Sequence, residues 1–270
     1  MHPADRRRHI LDRLEQQGAG SYDEFARALR VSTMTVRRDL ADLIRQGAVI
    51  QTVGGVQRAP APSYLYETAV HSRLAVQRGE KRAIARAALG LVAEGQTLFL
   101  DGSTTCLELA RLLARERKHL TIVTNSVLTC LELGRNPDHT LTGLGGHYDA
   151  NSLCFVGPEA EDAAGRLFVD LAFVGTKAFL PAKGTFESSA PNFRLKQIIA
   201  RQAAQVVLLA DHTKFGQRAL SPVLDIAQIH TVVTDDRAPR ADLAALARKQ
   251  KRVILAPAGR AAPKGTAHAA

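Results

Sequence analysis

The sequence predicts a two-domain protein in which a small, mainly α domain precedes a larger α/β domain with a mostly parallel sheet. Between residues 97 and 255, short apolar strand candidates alternate with helical stretches, a pattern typical of a parallel sheet covered by helices on both faces. Residues 1–58 show three short helical patterns instead. The chain of 270 residues is 46% hydrophobic, which is enough for two apolar cores.

The domain boundaries follow from changes in composition. We expect the small domain at residues 4–58 and the larger domain at residues 64–256, where a long helical region at residues 64–93 precedes the first strand. Residues 59–63 between the domains are rich in Pro and Ala, as in semi-rigid linkers. The Ala-, Pro- and Gly-rich residues 257–270 are expected to be disordered.

The charge and the cysteine content of the chain limit the functions that it can have. A formal charge of +10 suits a partner that carries phosphates, although ten arginines and seven acidic residues give residues 1–58 only +3 of it. Cys106, Cys130 and Cys154 form no C-x-x-C pair, so we expect no disulfide framework, zinc cluster, other metal or cofactor. With no signal peptide and no long apolar run, the protein is expected to be cytoplasmic, without membrane contact.

The helix boundaries of the small domain can be predicted from its sequence. The first helix ends at Gly18, and Ser21 with Glu24 three residues later predicts a capping box for the second helix. A third helix is expected to start at Ser32 or Thr33, after a tight break. Its core-facing positions at helical spacing are Val36, Leu40, Leu43 and Ile44.

The outer, N-terminal part of the third helix is a candidate DNA-binding surface. In a helix-turn-helix these residues enter the major groove, where Arg pairs with guanine or phosphate and Thr contacts phosphate or a thymine methyl group. The candidate DNA-binding residues are Ser32, Thr33, Thr35, Arg37 and Arg38. The negative charge of Asp39 does not favour a direct contact with DNA. We expect Asp39 to orient a neighbouring arginine. From periodicity alone, a small helical bundle with a solvated arginine face explains the pattern equally well.

A β-prone run after the third helix favours the DNA-binding alternative. Residues 48–56 follow Gly47 and contain the turn signal Gly54-Gly55, which predicts a hairpin. Helix, turn, helix and hairpin together form the winged version of the motif, in which the wing rests on the flanking DNA backbone.

Polar residues follow the predicted strands of the larger domain. Ligands of parallel sheets bind beyond the carboxyl ends of the strands. Residues 102–105, Gly-Ser-Thr-Thr, follow a strand and start a helix, where unpaired amides and the helix dipole suit a phosphate. The lysines after neighbouring strands can supply countercharge, and the aspartates suit sugar hydroxyl groups. The candidate effector-binding residues are Asp101, Ser103, Thr104, Thr105, Asn125, Gly145, Lys177, Asp211 and Lys214.

A simpler interpretation of these loops is that residues 103–105 only cap a helix and that Lys214 is solvated. One such loop would not argue against it, since Gly-Ser-Thr turns are frequent. Because several polar loops converge at the same end of the sheet, we favour a binding pocket.

Motifs in both domains resemble the DeoR family of bacterial repressors. Residues 32–40, Ser-Thr-Met-Thr-Val-Arg-Arg-Asp-Leu, with Gly47 and Gly54-Gly55, are similar to its DNA-binding signature. In the larger domain the similar segments are Glu80-Lys81, residues 101–105, residues 123–126, Gly145-Gly146 and residues 211–216. The resemblance covers about residues 4–256, but family members usually have Arg and His where this chain has Gln51 and Val53. We therefore expect a weaker contact from the wing.

The resemblance implies a repressor of a sugar or polyol catabolic operon. Its sensor domain would resemble ribose-phosphate isomerase in fold, bind a phosphorylated sugar or polyol, and release double-stranded operator DNA. A homo-oligomer, dimer or tetramer, would place two recognition helices about one DNA turn apart.

Two other functions remain possible on the sequence. A phosphosugar isomerase with an appended DNA-binding module needs a positioned acid–base cluster, and no compact group of acidic residues marks one, so no catalytic residues are assigned. An architectural DNA-binding protein would leave the polar strand ends unexplained. We expect a regulator and not an enzyme.

Overall fold

The computed structural model of the chain describes residues 2–45, 49–52, 54–58, 70–188 and 190–257. It contains two compact units, and among the described residues the boundary falls between Val76 and Gln77. The linker predicted at residues 59–63 lies outside the described residues. So does the tail predicted at residues 257–270, apart from Pro257.

The first unit packs three of its four described helices and a small antiparallel sheet around one apolar core. Its elements are α1 (Pro3–Gln17), β1 (Ala19–Ser21), α2 (Tyr22–Leu29), α3 (Thr33–Arg45), β2 (Val49–Thr52), β3 (Gly55–Arg58) and α4 (Val70–Ala75). The strand order is β1-β3-β2. The predicted apolar face of α3 is confirmed, since Val36, Leu40 and Leu43 are buried and Ile44 packs against the same core.

Local hydrogen bonds explain the helix-turn-helix. Ser21 and Glu24 form the predicted capping box: the Ser21 hydroxyl accepts from the Glu24 amide at 3.2 Å, and the Ser21 amide donates to the Glu24 carboxylate at 2.7 Å. Arg30 then takes a left-handed conformation, with φ of 52°, and ends α2. The Ser32 hydroxyl accepts from the Thr35 amide at 3.2 Å and so caps α3.

The second unit is a three-layer α/β structure. Its helices and strands are α5 (Arg78–Leu89), β4 (Thr97–Leu100), α6 (Thr104–Glu116), β5 (Thr121–Thr124), α7 (Val127–Leu133), β6 (Thr140–Gly143), β7 (His147–Asp149), β8 (Cys154–Val156), α8 (Pro158–Gly165), β9 (Val169–Gly175), β10 (Ala178–Leu180), β11 (Gly184–Glu187), α9 (Ala190–Gln202), β12 (Ala203–Leu209), β13 (Ser221–Asp225), β14 (Thr231–Asp235), α10 (Arg240–Arg248) and β15 (Arg252–Ala256). Short 3-10 turns lie at His212–Lys214 and Ile226–Gln228.

The predicted mostly parallel sheet is confirmed. Seven strands pair in the order β15-β14-β12-β9-β4-β5-β6, and every pair is parallel. Phe99 belongs to the core on one face, whereas its neighbours Leu98 and Leu100 belong to the core on the other. Helices α8, α9 and α10 contribute to the first core, and α5, α6 and α7 to the second. Strands buried on both faces have the continuous apolar sequences seen here.

The strand order reverses next to β4. From β4 the chain extends the sheet to one side through β5 and β6, and the later strands β9, β12, β14 and β15 extend it to the other side. In open α/β sheets the ligand crevice lies at the carboxyl ends of the two strands on either side of such a reversal. The fold therefore places this crevice beyond the ends of β4 and β9.

Two features differ from the sequence predictions. The single helical region predicted at residues 64–93 is interrupted at Gln77, which separates α4 from α5. Gln77 has a left-handed conformation, with φ of 51°, and a right-handed helix cannot continue through it. The first six residues of the predicted region lie outside the described part. Short antiparallel strands were not predicted either, namely the pair β7–β8 and the sheet β10-β11-β13. Their three to five residues are too few to show a period.

Candidate functional sites

The predicted effector-binding residues follow five adjacent strands. The register pairs Leu100 of β4 with Thr124 of β5 and Phe173 of β9, and it pairs Gly175 of β9 with Leu209 of β12. Strands in this sheet are spaced by about 4.8 Å, so the row from β6 to β12 is roughly 19 Å long. In row order, the residues after the strand ends include Gly145, Asn125, Asp101, Lys177 and Asp211.

Asp101 connects the two strands at the reversal point. Its side chain is buried, and the residue is 2% exposed. One carboxylate oxygen accepts from the Ser103 amide at 2.9 Å, and the other accepts from the Gly175 amide at 2.8 Å. Both oxygens are therefore engaged within the protein, and they fix the loop after β4 against the end of β9.

A largely buried lysine completes this connection. The Lys196 ammonium, from α9, donates to the Glu187 carboxylate at 2.5 Å and to the Gly175 carbonyl at 2.9 Å, and it lies 3.2 Å from an Asp101 oxygen. Burial favours the neutral amine, but the charges of Glu187 and Asp101 outweigh it and raise the pKa of Lys196. Burial likewise opposes the charge of Asp101, yet Lys196 and the Ser103 hydrogen bonds lower its pKa.

The predicted effector-binding residues include neither Lys196 nor Glu187. A signal for Lys196 was present, because it lies between Leu195 and Ile199, which are both buried in the sheet-facing core. A lysine on the apolar face of an amphipathic helix has to meet a buried carboxylate or remain uncompensated. Its partners, however, come from other elements of the fold.

The N-terminus of α6 presents backbone amides that do not donate to any described residue. The Ser103 hydroxyl accepts from the Cys106 amide at 3.2 Å, and the Ser103 carbonyl accepts from the Leu107 amide at 3.0 Å. The amides of Thr104 and Thr105 have no partner among the described residues. Because α6 has 13 residues, its dipole adds positive potential at the same end.

Asn125 adds an unpaired acceptor at the end of β5. The residue is 4% exposed, and its side-chain amide donates to the Phe155 carbonyl at 3.0 Å. Its side-chain oxygen has no hydrogen-bond partner in the described structure. Leaving a buried acceptor unsatisfied costs about 1–3 kcal/mol, so this oxygen is suited to a hydroxyl or amide donor from a ligand.

The loop after β12 contains the last two predicted residues of the row. Asp211 is buried and caps the 3-10 turn, accepting from the Thr213 amide at 3.0 Å and from the Thr213 hydroxyl. Lys214 is partly exposed, and its ammonium forms no hydrogen bond or ion pair with any described residue. It is thus an available countercharge, whereas Lys177, also partly exposed, directly follows Thr176 beyond β9.

The close approach of Gly175 to Ser103 gives a testable prediction about packing at the point where the strand order reverses. A Cβ atom at position 175 would overlap Cβ and Oγ of Ser103. Gly175→Ala is therefore expected to lower the free energy of unfolding by about 1–3 kcal/mol, measured by urea denaturation followed by circular dichroism. Gly145→Ala is the control, since a Cβ atom there has no neighbour within 4 Å. Equal stability of the two variants would contradict the close packing.

The candidate DNA-binding residues lie at the start of α3. The Ser32 and Thr35 hydroxyl groups are 2.9 Å apart, and the Thr33 hydroxyl donates to the Asp23 carboxylate of α2 at 3.3 Å. The Arg37 guanidinium lies over the ring of Tyr22, 5.3 Å from its centre. Arg38 is exposed and forms no hydrogen bond or ion pair with any described residue.

Asp39 orients an arginine, as expected, but one from another helix. Its carboxylate accepts two hydrogen bonds from Arg6 of α1, at 2.7 and 3.2 Å. Asp42, one turn further along α3, pairs with Arg7 at 3.1 Å. These two ion pairs join α1 to α3, and neither Arg37 nor Arg38 forms an ion pair with a described residue.

The predicted wing is present as the β2–β3 hairpin. Gly54, with φ of 82°, makes the turn, and Gly55 lies so close to the Gly20 carbonyl of β1 that a side chain would overlap it. Gln51 is exposed on β2, whereas Val53 lies outside the described residues.

The described residues contain neither a membrane-spanning helix nor a cluster of metal-ligating side chains. No helix among them is both long and apolar enough to cross a membrane. No group of three or more His, Cys, Asp or Glu side chains in residues 2–45, 49–52, 54–58, 70–188 and 190–257 is arranged to hold a metal ion.

Both units match family models of one regulator class. Residues 6–60 match the DeoR-like helix-turn-helix domain, and residues 76–236 match the DeoR C terminal sensor domain. Among solved structures, ribose 5 phosphate isomerase A from Neisseria gonorrhoeae is 16% identical, with a TM-score of 0.39, over 51% of this chain and 53% of that chain.

Full-length relatives belong to the same class. The HTH-type transcriptional regulator YgbI of Escherichia coli strain K12 is 33% identical over 95% of this chain and 99% of its own. The regulator GlpR of Haloferax volcanii is 32% identical over 87% and 91%, and the repressor CsqR of Escherichia coli strain K12 is 30% identical over 91% and 93%. These matches are to transcriptional regulators and not to enzymes, as the sequence predicted. The chain belongs to the DeoR family and is a DNA-binding transcriptional regulator.

Proposed function

We propose that this regulator is a cytoplasmic repressor of a sugar or polyol catabolic operon. Residues 4–58 would bind operator DNA through α3, and residues 64–256 would bind a phosphorylated sugar or polyol and form the oligomer. The observation that carries the proposal is the row of polar strand ends, in which the unpaired donors of α6 follow β4 and the unpaired acceptor of Asn125 follows the adjacent strand β5.

A phosphate group fits the start of α6. The free amides of Thr104 and Thr105 and the helix dipole favour an anion there. Lys214 can supply countercharge because its ammonium has no other partner among the described residues. Lys177 follows the neighbouring strand and is the second candidate.

The sugar or polyol part fits the neighbouring strand ends. Its hydroxyl groups can donate to the free side-chain oxygen of Asn125, and Gly145 leaves open space at the end of the row. Asp101 and Asp211 already accept hydrogen bonds from Ser103, Gly175 and Thr213, so we assign them the positioning of the loops. Ser103 contributes as the cap of α6.

Release from DNA requires two states with different affinities. In a dimer or tetramer, two α3 helices would lie about 34–36 Å apart, or a multiple of this distance, to match successive major grooves. A ligand shifts this arrangement only by its differential affinity for the two states. The inducer must therefore bind more tightly to the form that does not fit the operator.

The first test is a thermal-shift screen of the full chain against phosphorylated sugars and polyols, with the unphosphorylated compounds and inorganic phosphate alone as controls. A ligand at about 100 times its Kd stabilises the folded state by about 2.7 kcal/mol, so the melting temperature should rise with concentration. Lys214→Ala and Asn125→Ala should each weaken binding about tenfold, or about 1.4 kcal/mol. Lys183→Ala, at an exposed lysine, is the control for Lys214.

The same ligand should then release the protein from its operator in a mobility-shift assay. If no phosphorylated compound raises the melting temperature, the proposed sensor function is wrong. If a ligand binds but leaves operator affinity unchanged, that compound is not the inducer, and the repression mechanism fails for it.

A further inference from the structure

The first helical turn of α3 exposes one large apolar side chain. Met34 is the second residue of α3 and is 69% exposed, more than any other large hydrophobic residue described in the first unit. It lies outside the core that contains Val36 and Leu40, so packing within the unit does not account for it. Sequence analysis did not include Met34 among the DNA-binding residues.

Intramolecular contacts engage the other candidate side chains. Ser32 and Thr35 bind each other and cap the helix, and Thr33 donates to Asp23. Arg37 is held over the ring of Tyr22. These contacts connect α2 to α3 and stabilise the helix-turn-helix itself.

Two exposed side chains, Met34 and Arg38, therefore remain as candidates for contact with the edges of base pairs. Neither forms a hydrogen bond or ion pair with a described residue, and both line the same shallow cleft beside α1. Residues four apart lie on one face of a helix, separated along its axis by about 6 Å. Base pairs are stacked every 3.4 Å, so two such side chains meet base pairs that are at most about two steps apart.

We propose that Met34 reads the methyl group of a thymine and that Arg38 reads a guanine within two base pairs of it. A flexible, polarisable thioether packs well against a methyl group in the major groove, and a guanidinium pairs bidentately with guanine. This inference rests on the proposed binding of operator DNA by α3. It assigns a specificity role to a residue that makes no polar contact.

The experiment starts with selection of binding sites from a randomised duplex by the full chain. The selected half-site should contain a thymine within two base pairs of a guanine. Replacing that thymine by deoxyuridine removes only the methyl group and should weaken binding of the natural protein about fourfold, the expected effect of one buried methyl group. A second thymine outside the half-site, replaced in the same way, is the control.

Met34→Ala should bind thymine and deoxyuridine duplexes equally well, whereas Met34→Leu, which keeps an apolar side chain, should still distinguish them. Because Met34 is exposed, neither variant should change the melting temperature of the protein. The proposal is overturned if deoxyuridine has no effect at any thymine of the half-site, if Met34→Ala is as sensitive as the natural protein, or if no sequence is selected.

Arg38→Ala separates this proposal from the proposed function. If Arg38→Ala loses specific binding while deoxyuridine has no effect, α3 reads the operator without Met34. If Arg38→Ala and Met34→Ala both bind like the natural protein, the assignment of α3 as the recognition helix fails as well.

Discussion

Lys196→Met is expected to lower the free energy of unfolding of the second unit by about 3–5 kcal/mol, the effect of removing one partner from a buried ion pair. The variant leaves Asp101 and Glu187 buried without their shared cation. Urea denaturation followed by circular dichroism measures the change. Lys183→Met removes an exposed lysine and should alter stability by less than about 0.5 kcal/mol. A Lys196→Met variant as stable as this control would contradict a structural role for the ion pairs.

The defect should depend on pH in a defined direction. In the natural protein the folded-state pKa of Asp101 lies below its ordinary value of 3.8, so the ion pair stabilises the fold above that value and is lost only as pH falls through the lower one. The pKa of Lys196 is raised, so the lysine stays charged throughout the neutral range. In Lys196→Met, the burial of Asp101 is no longer offset by the charge of Lys196, so protonation of this carboxylate becomes more favourable.

The stability difference between Lys196→Met and the natural protein should therefore be largest near neutral pH and smaller in weak acid. Denaturation curves at about pH 7.5 and about pH 5 test this, because loss of the Lys196 charge raises the pKa of Asp101 from its present low value. An equal difference at both pH values would show that lost packing, and not uncompensated charge, causes the defect.

The sheet was predictable because most of its strands are buried on both faces. The central strands β4, β5, β9, β12 and β14 have mostly apolar, buried sequences, which give the strand candidates between residues 97 and 255, whereas the edge strand β6 is short and largely exposed. The antiparallel pairs, by contrast, are three to five residues long and follow turns without a distinctive signature. The break at Gln77 was also not predictable, because its left-handed conformation is one that glycine or asparagine usually takes.

The clustering of the candidate effector-binding residues at the strand ends was predictable, but the hydrogen-bond partners of their side chains were not. Asp101 was identified from its place after β4, and a sugar hydroxyl was the expected partner. Its oxygens instead accept from two backbone amides, one of which, Gly175, lies 74 residues further along the chain. Such a pairing depends on which strands become neighbours, and the strand order is not encoded in any local segment. The same holds for Lys196, which contacts Asp101 from helix α9.

At the start of α3, the sequence likewise identified the candidate residues but not their contacts. Five polar residues there were equal candidates for DNA binding from their types alone. The structure separates them, because Thr33 and Arg37 contact α2 while Arg38 makes no polar contact with a described residue. Arg38 is therefore the candidate whose removal should affect DNA binding without affecting the fold.

Arg38→Ala is expected to weaken operator binding about 10- to 100-fold, because a bidentate contact to guanine contributes about 1–3 kcal/mol of discrimination. Arg38→Lys keeps the charge but lacks the planar pair of donors, so it should retain the salt dependence of binding and lose the preference for guanine. Arg115→Ala, which removes an exposed arginine from α6, is the control for net charge. Fluorescence anisotropy at several salt concentrations, with the selected site and a guanine-substituted site, distinguishes these effects. If Arg38→Lys binds and discriminates like the natural protein, Arg38 contacts phosphate and not a base, and the guanine must be read by another residue.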